Sequence, residues 1–111
     1  MFDSLFSHVP NIAVADVKKA IDAKEKVILL DVRTPDEYAR DHISGSINIP
    51  FDEVELKVKK IIPDKKKKVY VYCLSGSRSV RAVAEMINLG YTQVYDIKQG
   101  LLAWRASGYP Y

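Results

Sequence analysis

The chain has 111 residues, of which 48% are hydrophobic and 28% are charged, and it carries a formal net charge of +3. These values are typical of one globular domain, spanning residues 1–111, and the small net charge gives no reason to expect a nucleic acid partner. A single cysteine excludes an internal disulfide, and no apolar run approaches the roughly 20 residues that a membrane-spanning helix needs.

The N-terminal segment, residues 1–10, has no pattern that assigns it to a helix or a strand. Residues 1–6 lack both a basic region and a long apolar region, so a signal peptide is not expected there. A cytoplasmic location without membrane association is the expectation that follows.

Short apolar runs then alternate with segments of helical periodicity. The runs predict strands at residues 12–14, 27–30, 47–49, 69–72 and 94–97. Apolar residues three and four positions apart predict helices at about residues 16–22, 35–41, 51–62, 80–89 and 101–104. Thr34-Pro35-Asp36-Glu37 is a capping box with proline at the first helical position, and Gly90 is a helix stop.

This alternation predicts an α/β fold with a mainly parallel central sheet of about five strands and helices on both faces. In such sheets, ligands bind beyond the carboxyl ends of the strands. Asp31 and Cys73 each follow a predicted strand, so both are expected at that edge of the sheet.

The cysteine begins the segment Cys73-Leu74-Ser75-Gly76-Ser77-Arg78-Ser79, between a predicted strand and a predicted helix. Loop amides and the first helical N–H groups lack backbone partners there and can converge on an anion. Free cysteine has a pKa of about 8.5, which helix N-termini and arginines lower to roughly 3.5–7.5. A lone cysteine is usually a small buried hydrophobic residue, but the combination of strand, cysteine, small polar loop, arginine and helix favours a nucleophile.

With this loop, three further segments resemble motifs of the rhodanese family of sulfurtransferases. Leu30-Asp31-Val32-Arg33 with Glu37-Tyr38 resembles Asp-Val-Arg-x-x-x-Glu-Tyr, and residues 42–50 resemble His-Ile-x-Gly-Ala-x-Asn-Ile-Pro. Gly100-Leu101-Leu102-Ala103-Trp104 with Gly108-Tyr109-Pro110 resembles the C-terminal motif, so the similarity extends over residues 12–110. The chain departs from the family at Asp41, Ser46 and Leu101, the last in place of the second glycine of a common pair.

The resemblance implies a thiosulfate sulfurtransferase in which the Cys73 thiolate takes the outer sulfur of thiosulfate or a similar small anionic donor. The resulting persulfide passes its sulfur to cyanide or to a thiol, by covalent catalysis without a cofactor or metal. Since the chain has no second cysteine, the acceptor must be external. The backbone N–H groups of Leu74, Ser75, Gly76, Ser77, Arg78 and Ser79 are expected to bind the transferred sulfur, and Arg78 to orient the donor or to hold the loop by a salt bridge.

Two other functions remain open at this point. Many rhodanese-like domains are non-catalytic regulatory or docking modules, although those usually lack the cysteine. Phosphatases on a related fold use Cys-x5-Arg, whereas this chain has Cys-x4-Arg, which favours sulfur over phosphate. Residues 65–68 are four lysines that predict a solvated turn and could also attract an acidic acceptor protein.

Several polar residues are expected to support the site. Asp31 is expected to bond the loop amides or Arg78, or to make a turn, and Arg33 and Glu37 are expected to form an ion pair. His42 is interpreted as a structural hydrogen-bonding residue, since an ionised nucleophile needs no base. Trp104 is predicted to lie in the core or at its rim, and the histidines and cysteine lack metal-ligand spacing.

Overall fold

The structure is a computed structural model that describes residues 9–111. Its strands are β1 (Asn11–Ile12), β2 (Ile28–Asp31), β3 (Ile47–Asn48), β4 (Val69–Tyr72) and β5 (Val94–Ile97). Its α-helices are α1 (Val14–Asp22), α2 (Pro35–Arg40), α3 (Val54–Ile61), α4 (Ser77–Asn88) and α5 (Gly100–Ala106), with a 3-10 turn at Phe51–Glu53 before α3.

The five strands of the described residues form one parallel sheet in the order β1-β5-β4-β2-β3. The predicted fold class is therefore confirmed. Because β4 is the middle strand, the residue that follows it lies at the centre of the carboxyl edge, with β2 and β5 on either side.

The sheet separates two hydrophobic clusters, because successive side chains of a strand point to opposite faces. Val69 and Val71 of β4 pack with α3 and α4, whereas Tyr70 and Tyr72 of the same strand pack with α1 and α5. Trp104 of α5 is 2% exposed and belongs to the second cluster, which confirms its predicted place in the core.

Local sequence patterns account for most of the element boundaries. Thr34 Oγ1 accepts from the Glu37 N–H at 3.2 Å, and the Glu37 carboxylate accepts from the Thr34 N–H at 3.0 Å, so the predicted capping box is confirmed. Gly90, with φ of 101°, follows α4 as expected. The predicted bounds of the first strand, residues 12–14, are wrong. The strand is Asn11–Ile12, because these residues pair with Asp96 and Ile97 of β5, and Val14 already belongs to α1.

No helix within residues 9–111 has the length and apolar character that crossing a membrane requires. The expectation that residues 1–6 are not a signal peptide concerns residues outside the described part of the chain. Val9, which is described, is 9% exposed and packs in the cluster with α3 and α4.

Candidate active site

Cys73 follows the last residue of β4 and has no exposed surface. Its Sγ accepts from the Gly76 N–H at 3.1 Å and from the Ser79 N–H at 3.4 Å. The loop thus folds back over the sulfur and directs two backbone donors at it. Backbone donors of this kind stabilise a negative charge where one is present on sulfur.

Gly76 allows this reversal because it adopts φ of 118°, in the left-handed region that residues with a Cβ disfavour. It is also the N-cap of α4, so the first helical residues, Ser77 and Arg78, follow it directly. Ser75 and Ser77 are exposed, whereas Leu74 and Arg78 are half-buried. The cysteine is therefore covered by a short loop whose outer surface meets solvent.

A buried serine and a buried carboxyl lie beneath the cysteine. Ser79 Oγ is 3.4 Å from Cys73 Sγ and 2.5 Å from Asp96 Oδ1. Burial raises the pKa of Asp96 to about 6, although the Ser79 hydrogen bond acts in the opposite direction. Asp96 is not among the site residues predicted from the sequence, although a charged residue within the apolar run Val94-Tyr95-Asp96-Ile97 could have indicated it.

Arg78 lies against Glu37 of α2. Its two terminal nitrogens donate to the two Glu37 oxygens at 2.7 and 3.2 Å. The hydrogen bond from Arg78 lowers the pKa of Glu37 to about 2, and burial opposes that shift. The guanidinium thus connects the loop to α2 by a salt bridge, which is one of the two roles predicted for Arg78.

The expected ion pair between Arg33 and Glu37 is wrong, because each residue has another partner. Arg33 Nε and Nη2 donate to Asp31 at 2.8 to 3.1 Å, and Arg33 Nη1 donates to Asp41 at 3.3 Å. Asp31 and Arg33 are both buried. Asp31 therefore bonds Arg33 rather than the loop amides or Arg78, and its Oδ1 also accepts from the Arg33 N–H at 2.9 Å, which is the turn that was the other expectation for it.

His42 makes structural contacts, as expected. Its Nδ1 lies 2.7 Å from the Tyr38 carbonyl oxygen, and its ring stacks on the Tyr38 ring with centroids 3.7 Å apart. Within residues 9–111, no group of three or more His, Cys, Asp or Glu side chains is arranged to hold a metal ion.

The first turn of α5 packs directly on the start of the cysteine loop. The Leu101 N–H donates to the Cys73 carbonyl at 2.9 Å, and the Leu102 N–H donates to the Leu74 carbonyl at 3.0 Å. A Cβ on Gly100 would lie only 2.3 Å from the Cys73 carbonyl oxygen. Glycine at position 100 is therefore required for this approach of two backbones.

The backbone at the start of α5 shows which residue replaces a glycine of the common glycine pair. Gln99 and Gly100 adopt φ of 60° and 52°, which is the backbone conformation that a glycine pair suits. Leu101 instead occupies an ordinary buried helical position. The departure from the glycine pair therefore lies at Gln99, and not at Leu101.

A cleft of about 370 Å³ adjoins the loop. It is lined by Ser75, Gln99, Leu102, Ala103 and Ala106. Leu102 is 49% exposed, so the cleft has an apolar wall beside the polar loop. The cleft reaches the cysteine loop at Ser75.

The amino-acid sequence and the fold are both similar to those of known proteins. A family model described as a rhodanese-like domain matches residues 13–107. The chain is 33% identical over 98 residues to the putative sulfur carrier protein YrkF of Bacillus subtilis, and 42% identical over 65 residues to the thiosulfate sulfurtransferase PspE of Escherichia coli. These alignments cover 88% and 59% of this chain.

The chain spans 52% of the length of YrkF and 62% of the length of PspE, less than two thirds in each case. The crystal structure of a rhodanese-related protein from Thermoplasma volcanium is similar to this structure with a TM-score of 0.80 and 37% sequence identity. That similarity covers 91% of this chain and 95% of the other.

Proposed function

The chain belongs to the rhodanese-like domain family, and we propose that it is a sulfurtransferase that carries sulfane sulfur as a persulfide on Cys73. One observation carries the proposal: the chain keeps the cysteine, and two loop amides are directed at its sulfur. A non-catalytic docking module has no need of donors converging on a thiol. The sulfurtransferase names of relatives support sulfur transfer in general, and the donor and acceptor are our inference.

The proposed reaction has two displacements. The Cys73 thiolate attacks the outer sulfur of thiosulfate, the sulfur–sulfur bond of the donor breaks, and sulfite leaves with the bonding electrons. An external thiolate or cyanide then attacks the outer sulfur of the persulfide, which returns Cys73 as a thiolate. Since Sγ has no exposed surface in the closed loop, each displacement requires the loop to move aside.

In this mechanism the loop amides of residues 74–79 hold the outer persulfide sulfur, as an oxyanion hole holds oxygen. Asp31 and Arg33 keep the neighbouring strand end in place through their buried ion pair. The acceptor, a small thiol or a thiol on an acceptor protein, approaches through the cleft beside Ser75 and Leu102.

The intact mass of the protein tests this proposal. After incubation with thiosulfate and desalting, we expect the wild type to gain one sulfur atom, about 32 Da, because the covalent intermediate is stable until an acceptor arrives. Cyanide or dithiothreitol should remove the added mass, and Cys73→Ser should never gain it. An unmodified wild-type mass would overturn the proposal in favour of a docking module.

A second prediction concerns the role of Arg78. If its guanidinium also orients an anionic donor, Arg78→Ala should raise KM for thiosulfate about tenfold, the scale of one lost charged hydrogen bond. Lysine should restore only part of this, because it lacks the planar arrangement of donors.

Glu37→Gln is the matched control, since it breaks the same ion pair but leaves the guanidinium in place. We expect this variant to keep the thiosulfate KM within about twofold. Equal losses in Arg78→Ala and Glu37→Gln, or an equal loss with an uncharged donor, would mean that Arg78 acts only by holding the loop.

A further inference from the structure

Three buried groups form a continuous chain from the carboxyl edge of β4 to that of β5. Cys73 and Ser79 have no exposed surface, and Asp96 is 5% exposed. Sγ to Ser79 Oγ is 3.4 Å, and Ser79 Oγ to Asp96 Oδ1 is 2.5 Å. The parallel pairing of Val71 with Asp96 accounts for this placement, because it sets the carboxyl near the strand end that Cys73 follows.

The Ser79 hydroxyl has one hydrogen but three polar neighbours, since the Gly76 carbonyl oxygen also lies 3.1 Å away. When Asp96 is ionised, its carboxylate takes that hydrogen, and the Ser79 oxygen can only accept from the Cys73 thiol. When Asp96 is protonated, it donates to the Ser79 oxygen and leaves the hydroxyl hydrogen free for the sulfur. The protonation of Asp96 therefore decides whether Ser79 stabilises the thiol or the thiolate.

Within residues 9–111, little near Asp96 would compensate its charge. Its register neighbours are Val71 on β4 and Asn11 on β1, and burial is the main cause that raises the pKa of Asp96. Lys98 follows β5 and is exposed, and the tyrosines of β4 and β5 belong to the cluster on the other face of the sheet.

The charged residues in the first turns of α4 are engaged elsewhere. Arg78 binds Glu37, and the Arg81 guanidinium lies over the Phe51 ring, 5.8 Å from its centroid. Among residues 9–111, the titratable group that a hydrogen-bonded path connects to Asp96 is thus Cys73.

We propose that Asp96 is a positioning residue that receives the Cys73 proton through Ser79. The S–H bond breaks as its proton passes to Ser79 Oγ, and the original hydroxyl proton passes to Asp96 Oδ1. Thiol and carboxylate become thiolate and carboxylic acid, with no change in net charge and no transfer of electrons. The proposal rests on the proposed function in one respect, that the thiolate is the nucleophile.

This shift removes a charge conflict in the buried site. If the Cys73 thiolate and the Asp96 carboxylate were both ionised, their negative charges would repel each other. Such repulsion disfavours the state in which both groups are charged. Moving the proton leaves a single negative charge on the sulfur, where the Gly76 and Ser79 amides already point. The neutral Asp96 then lets Ser79 add a third donor.

The test is a titration of the Cys73 thiolate by its ultraviolet absorbance, taken against Cys73→Ser, from about pH 4 to about pH 9. We expect thiolate to form in two coupled steps, since the pair loses two protons in turn and, after the first is lost, the remaining proton is divided between thiol and carboxyl. Asp96→Asn should give one step, with a midpoint at least about one pH unit below the upper step of the wild type, a tenfold change in thiolate fraction. Asparagine keeps the shape and donates to Ser79, but it cannot take a proton.

Ser79→Ala is the second variant, because it removes the hydroxyl that would stabilise the thiolate and leaves both end groups in place. Here we expect the lower thiolate step to disappear and the upper one to remain. Thermal unfolding of each variant reports folding separately. A merely structural Asp96 would change the melting temperature and leave the titration curve unaltered.

Superimposable titrations of the wild type and Asp96→Asn would overturn this proposal. The measurement uses no sulfur donor, so its outcome is independent of the thiosulfate mass test. A protein that gains sulfur but titrates in one step keeps the proposed function and loses the relay. A protein that titrates in two steps but never gains sulfur does the reverse.

Discussion

Insertion of one glycine between Ser77 and Arg78 is expected to reduce thiosulfate:cyanide turnover by a factor of roughly ten to a thousand, the scale of losing oxyanion-hole donors. The reason is geometric. The Gly76 and Ser79 amides meet at Cys73 Sγ from either side of the insertion point, at 3.1 and 3.4 Å. An added residue widens the loop, so both donors can no longer reach one sulfur atom.

The longer loop has the Cys-x5-Arg spacing of the phosphatases, and we expect it to bind phosphate or arsenate weakly. Its control is a glycine inserted between Glu25 and Lys26, two exposed residues that precede β2 at the opposite end of the sheet. That variant should keep turnover within about twofold of the wild type. If the lengthened cysteine loop is folded and transfers sulfur as fast as the original, loop size does not decide between the two chemistries.

Gly100→Ala is expected to lower the free energy of unfolding by at least about 3 kcal/mol and to distort the cysteine loop. About 1–2 kcal/mol comes from placing a Cβ in the left-handed region, where φ is 52°. The remainder comes from overlap, because the new Cβ would lie 2.3 Å from the Cys73 carbonyl oxygen and 2.8 Å from that of Leu74. Urea unfolding followed by circular dichroism measures the loss.

Gly108→Ala separates these two costs. Gly108 has φ of 75°, but a Cβ there would meet nothing within 4 Å. We therefore expect it to lose only the backbone contribution, about 1–2 kcal/mol, and to keep sulfur loading. Equal destabilisation by the two substitutions would mean that the contact between Gly100 and the start of the loop is unimportant for stability.

The cysteine loop is the part of the site that could be predicted from the sequence. Strand, loop and helix are adjacent along the chain here, and β4 and α4 form from local patterns of apolar residues. The amides of Gly76 and Ser79 reach Cys73 because only a few residues separate them from it. Because so few residues separate these amides from the cysteine, few geometries are possible, and the loop could be predicted without knowledge of distant contacts.

Ion pairs could not be predicted in the same way. The chain has 17 basic and 14 acidic side chains, so sequence proximity is a poor guide to which charges meet. Arg33 and Glu37 are four residues apart and were expected to pair. Glu37 instead forms an ion pair with Arg78, which is 41 residues away, and Arg33 forms one with Asp31. Glu37 and Arg78 meet because the folded chain brings α2 close to the start of α4.

The sequence alone was enough to predict the alternation of five strands with helices, the capping box at Thr34, and the position of the cysteine at the end of β4. Each depends on the periodicity of apolar residues or on hydrogen bonds between near neighbours. The position of β5 beside β4 follows only from tertiary packing, and this pairing sets Asp96 under Ser79 and Gly100 against the Cys73 carbonyl. Strand order is fixed by the packing of the whole chain, which no local pattern encodes.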